Sequence, residues 1–141
     1  MRLGLLIVLS TASVALANPD VGSFYEVSTE GTSTRLKAGE TGKVVLSIKT
    51  KKGAHISDEA PLRLELSSKQ STLSKAKLTL ADAVNAKKDG EGENVDPRFE
   101  IPFTPQVQGP TSVEAKMTFF VCTEKQCARQ TQQLSLNVDV M

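Results

Sequence analysis

The sequence predicts an all-β chain, an immunoglobulin-like antiparallel β-sandwich of about seven short strands. Three observations carry the prediction. Apolar residues recur at every second position in run after run. Gly, Pro and polar turn signals separate those runs at roughly regular spacing. The last two runs face one another across a four-residue turn flanked by Cys122 and Cys127, the only cysteines in the chain.

Residues 1–17 read as a secretory signal peptide. Met1-Arg2 supplies one positive charge, Leu3 to Leu9 an apolar run, and Ala15-Leu16-Ala17 an A-x-A cleavage site before polar Asn18-Pro19-Asp20. The run is too short for a membrane span, and no other segment qualifies. Residues 18–141 are then expected as one exported domain, in the periplasm or secreted, with no membrane span after cleavage. The chain holds 17 basic and 16 acidic residues, and loss of Arg2 brings it close to neutrality. Nothing here favours nucleic acid or an anionic membrane, and the absence of tryptophan argues against a stacking platform.

Within the domain, residues 24–28 predict a first strand and the polar, glycine-containing residues 31–40 a loop. Val44, Leu46 and Ile48 alternate within residues 43–50, a second strand. Lys51-Lys52-Gly53 turns the chain, and His55 is expected in the turn region that follows. Pro61 opens a strand in which Leu62, Leu64 and Leu66 share a face. Residues 67–72 read as a polar turn, with one more short strand near residues 76–80 and a possible helix at 81–87 ended by Asp89-Gly90-Glu91-Gly92. The polar connection 83–97 is the expected mobile loop. Phe99, Ile101 and Phe103 alternate in the next strand.

The hairpin completes the pattern. Val113, Ala115, Met117, Phe119 and Val121 share one face before the turn, and Leu134, Leu136, Val138 and Val140 share one face after it. Setting Cys122 opposite Cys127 pairs Phe120 with Arg129, Thr118 with Thr131, Glu114 with Ser135, Val113 with Leu136 and Ala115 with Leu134. Both sulfurs then fall on the face turned away from the core, at a spacing a disulfide accepts. Gln130 and Gln132 land on the apolar face near the tip, so a bulge is expected there, or a tip that projects past the core.

The Cys-x4-Cys pair is the one constellation with chemistry in it. As a staple it closes a loop of about six residues, for roughly 2 kcal/mol. As an accessible disulfide on a rigid hairpin it is placed for thiol–disulfide exchange. Position alone leaves both readings open. Lys125 and Arg129 favour a thiolate while Glu124 opposes it. With Phe120, which shares the outer face, Lys125 and Arg129 are the candidate partner contacts. His55 is the only histidine. A metal set of Cys122, Cys127 and His55 or a Met is thin, and neither metal nor cofactor is expected. No Gly-x-Ser-x-Gly context supports a hydrolase.

Several of these motifs together resemble the disulfide bond corrector family, the N-terminal periplasmic domain of the thiol:disulfide interchange protein DsbD. The matching pieces are Lys52-Gly53-Ala54-His55-Ile56, Ala60-Pro61-Leu62-Arg63-Leu64-Glu65-Leu66, and Val121-Cys122-Thr123-Glu124-Lys125-Gln126-Cys127 with its alternating final strand. The resemblance implies an immunoglobulin-like sandwich whose cysteine pair passes electrons between a membrane reductant and exported substrate proteins. It implies Cys127 as the attacking cysteine and Cys122 as the resolving one. The domain is expected to be a monomer. Family members shield the pair with an aromatic loop, whereas residues 82–97 here hold no Phe or Tyr outside the strand that follows. Ala128 stands where Pro is common. The other class of function compatible with the same residues is a non-catalytic immunoglobulin-like binding or assembly module with a structural hairpin disulfide.

Overall fold

The computed structural model describes residues 21–86 and 96–141. The expected signal peptide and residues 87–95 of the expected mobile loop lie outside the described residues. No helix among the described residues is long and apolar enough to cross a membrane.

Among the described residues ten strands form two sheets. They are β1 (Tyr25–Ser28), β2 (Arg35–Leu36), β3 (Gly42–Thr50), β4 (Ala54–Ile56), β5 (Arg63–Ser67), β6 (Ser71–Leu73), β7 (Lys77–Thr79), β8 (Arg98–Pro105), β9 (Gly109–Thr123) and β10 (Cys127–Val140). The four-stranded sheet runs β1-β3-β8-β6, and the larger one β2-β10-β9-β5-β7, with β4 also on β9 beyond the end of β5. Lettered in chain order, β1, β3, β5, β6, β8, β9 and β10 reproduce strands A to G of an immunoglobulin domain. The A-B-E-D order stands in one sheet and G-F-C in the other. Every ladder is antiparallel except β2 on β10.

The seven strands of that frame are not quite the seven read from the sequence. Residues 67–72, read as a turn, contain the start of β6, which pairs with β8 and supplies the D strand. The short run near residue 78 is β7, an addition beside β5. Arg35 and Leu36 leave the expected loop to pair with Asp139 and Val140. Strands of two or three residues carry too few positions to show alternation. Over the described part of the possible helix at 81–87, residues 81–86, there is only a 3-10 turn, Leu80–Asp82. Asn85 follows it, and its side-chain amide bonds the Asp96 C=O and the Arg98 N–H at the start of β8.

The core forms where the inner faces meet: Val44, Leu46 and Ile48 of β3 and Phe99, Ile101 and Phe103 of β8 against Leu64, Leu66, Val113, Met117, Phe119, Val121, Leu136, Val138 and Val140. Each such side chain contributes about 1.5–3 kcal/mol by leaving water. In β3 the intervening Val45 and Ser47 are buried too, and over Val45 the segment holding Gly31 and Thr32 folds across the sheet's outer side. Thr32 accepts from the Val45 N–H and donates to its C=O. Gly31, at φ 98°, makes the bend, and a Cβ there would stand 3.3 Å from Val45 Cγ2.

Candidate functional site

The hairpin register is the one the alternation predicts, with Cys127 opposite Cys122 and every pair continuous down to Val140 with Gly109. At the turn, the Thr123 N–H donates to the Gln126 C=O at 2.7 Å. Bonded and non-bonded pairs alternate along an antiparallel ladder, so the next pair, Cys122 with Cys127, is a non-bonded one, where the chains come closest. The two Cα atoms are 4.0 Å apart and the sulfurs are joined in a disulfide.

The two cysteines of the outward-facing disulfide are not equivalent. Cys122 is only 4% exposed, while Cys127 is exposed. The difference follows from their positions in the sheet. Cys122 lies on β9, with β10 on one side and β4 on the other. Cys127 opens β10, which at that end has no neighbour on its far side among the described residues. The residue facing Cys122 from β4 is His55. His55 is therefore a strand residue in the same row as both cysteines, not a turn residue, and alternation across three residues gave no signal of this. Among the described residues no group of three His, Cys, Asp or Glu is placed to hold a metal.

The candidate partner contacts divide. Phe120 and Arg129 face one another across the ladder and, with Pro61, Arg63, Glu65, Lys116 and Thr118, line an open groove of about 400 Å³ on the outer face beside the disulfide. Phe120 is half-buried in that groove and Arg129 exposed. Lys125 stands apart, exposed in the turn.

Beneath the tip, the expected bulge is absent. Gln130 and Gln132 do lie on the inner face, in unbroken register with Phe119 and Met117, and Tyr25 from the opposite sheet satisfies them. Its hydroxyl donates to Gln130 Oε1 at 3.0 Å and accepts from Gln132 Nε2 at 2.8 Å. Its ring meets Phe119 edge-on at 5.2 Å. A phenol offers an apolar ring and a polar tip, so it covers Phe119 and pairs two amides at once. The sequence signalled only the misfit of two glutamines, not the residue that resolves it.

No family model matches the chain, and no curated protein matches it. Among solved structures, the crystal structure of domains 4 and 5 of the S-layer protein SbsC is a distant likeness, at 12% identity and a TM-score of 0.45. The match covers 82% of this chain and 51% of that one, so the chain spans about half the neighbour's length.

Proposed function

We propose that the chain is an exported thiol–disulfide exchange module working through Cys122 and Cys127 without a bound cofactor. The observation that supports it is the asymmetry of the pair, an exposed Cys127 bonded to a buried Cys122 at the tip of a rigid hairpin. An incoming thiolate reaches the Cys127 sulfur, forms the S–S bond of a mixed disulfide there, and expels Cys122 as the thiolate. A second thiol of the partner then attacks the partner's sulfur in that bond and releases Cys127. The module leaves as a dithiol, the partner as a disulfide. Run backwards, the Cys127 thiolate attacks an oxidised partner and Cys122 resolves the adduct, the division of roles that the resemblance to the disulfide bond corrector family implies.

The other reading, a non-catalytic module whose disulfide is structural, draws on the burial of Cys122, which shelters one sulfur. Against it, a loop of about six residues gives a staple at most roughly 2 kcal/mol, and the continuous ladder already holds the two strands together. The reduction potential of the pair separates the two. A value between about −180 and −270 mV, where exchange proteins lie, supports exchange, and one well below about −300 mV marks a resistant structural bridge. In the exchange case, Cys122→Ser retains the mixed disulfide on Cys127.

A further inference from the structure

The longest open sheet edge among the described residues begins at Cys127. The other outer strands are short: four residues in β1, two in β2 and three each in β4, β6 and β7. β10 has fourteen, and only Asp139 and Val140 are paired on its outer side, by β2. The direction of its backbone groups follows from the bonds at its two ends. The Thr123 N–H to Gln126 C=O bond places Cys122 and Cys127 at a non-bonded pair, so the odd-numbered residues of β10 turn their N–H and C=O away from β9. At the far end the Asp139 N–H reaches Thr34 and the Met141 N–H reaches Leu36, in the same phase. Cys127, Arg129, Thr131, Gln133 and Ser135 thus present their backbone groups to an edge on which no strand among the described residues pairs. Gln130 Nε2 donates to the Arg129 C=O, a bond that an incoming N–H replaces. Exposed edges are ordinarily defended by charged side chains, proline or a bulge. Residues 127–138 hold one charge, Arg129, and neither proline nor bulge.

We infer that this edge takes an added strand, an extended segment of the exchange partner whose own cysteine pairs with Cys127 and which carries an acidic residue two positions away. The inference rests on the exchange reading and names its substrate class. Opposed residues on neighbouring strands share a face, and the strands lie about 4.7–4.9 Å apart. A cysteine opposite Cys127 therefore stands on the outer face in one row with Cys127, Cys122 and, beyond them, His55. Displacement at sulfur needs the entering and leaving sulfurs on opposite sides of the one attacked, and the row supplies that line. The partner thiolate bonds to Cys127 Sγ, the Cys122–Cys127 bond breaks, and Cys122 leaves with the electron pair. Two positions along, the added strand faces Arg129. Arg129, Lys116 and Arg63 outnumber Glu65 in the adjoining groove, and none of these cations is in an ion pair among the described residues.

The test uses a ten-residue peptide containing Glu-x-Cys-x-Glu, in two backbone N-methylated forms, and follows its adduct with the oxidised protein by mass. Methylation at residues in phase with the cysteine blocks the N–H groups that pair with β10, and is expected to slow adduct formation at least about tenfold. Methylation of the intervening residues is expected to leave it unchanged. On the protein side, Thr131→Pro removes an outward N–H without touching the β9 ladder, and is expected to slow the unmethylated peptide while leaving the rate with glutathione intact. Replacing both peptide glutamates with lysine is expected to slow it several-fold. Equal rates for the two methylated peptides would overturn the edge while the exchange reading stands. A concentration-dependent dimer lost in Thr131→Pro would give the edge to a second copy and overturn it as well. If neither glutathione nor any peptide forms an adduct on Cys127, the exchange reading fails and takes this inference with it.

Discussion

The two ends of the β9–β10 hairpin are built on opposite terms. At the base, β10 is held on both sides, by β9 and by the parallel strand β2, and Leu136, Val138 and Val140 turn into the core. At the tip, β9 is still flanked by β4 but β10 has one neighbour, glutamines occupy the inner face, and the residue that opens the strand is an exposed cysteine. The same ladder serves both ends, so the contrast comes from what lies beside and beneath it. Hydrophobic burial fixes both strands at the base. Toward the tip it acts through β9, at Phe119 and Val121, whereas β10 is met by a phenol that pairs its two amides and by a disulfide.

That contrast can be broken most directly from the core. Phe119→Ala, where a fully buried ring meets Tyr25, is expected to cost about 3–5 kcal/mol in urea unfolding, and Leu136→Ala at the base about 2–5 kcal/mol. Reduction of the disulfide is expected to cost no more than about 2 kcal/mol. A loss as large as that of Leu136→Ala would mean that the cysteines, not the packing, hold the hairpin. Next in size, Tyr25→Phe keeps the ring and removes the hydroxyl, for about 1 kcal/mol, since the half-buried glutamines regain water as a partner.

Hydrogen exchange sharpens the comparison without mutation. Arg129, Thr131, Gln133 and Ser135 are expected to exchange faster than Ala128, Gln130, Gln132 and Leu134, whose N–H groups bond to β9, with the difference closing toward Asp139 where β2 pairs. Uniform protection along β10 would show its edge to be covered.

The smallest effect lies away from the hairpin and serves as its reference. The Lys75 ammonium and the Thr79 N–H, bonded to the Asp82 carboxylate, hold its carboxyl below the ordinary 3.8. A lowered folded value means that the charged form stabilises the fold above the unfolded value, and that this stability is lost as pH falls through the folded one. Asp82→Asn should therefore lower the melting temperature slightly at pH 7 and not at all once the pH has fallen well below the lowered folded value. A pH-independent difference would mean that the carboxylate's charge contributes nothing.

Alternation alone was enough to read the hairpin. Every pair it predicted, from Phe120 with Arg129 to Val113 with Leu136, stands in the structure, because a one-residue slip would turn an entire apolar face to water. The long strands β3, β8 and β9 were legible for the same reason. The short ones were not: β2, β4 and β6 hold two or three residues each and exist because a longer strand lies ready to pair with them. The site was legible in proportion. Cys122, Cys127, Phe120 and Arg129 fall where their spacing puts them, but His55 joins their row only through β4. The difference in exposure between the cysteines depends on which strands have neighbours, and that is a property of the sheet and not of any local run.

Tyr25 has one more consequence. It is the chain's single tyrosine, and the chain has no tryptophan, so near-ultraviolet emission from the intact protein arises from one ring at the joint between the sheets. Its intensity and its quenching by added solutes form an optical gauge of the tip alone, readable in real time while an added reductant opens the disulfide above it.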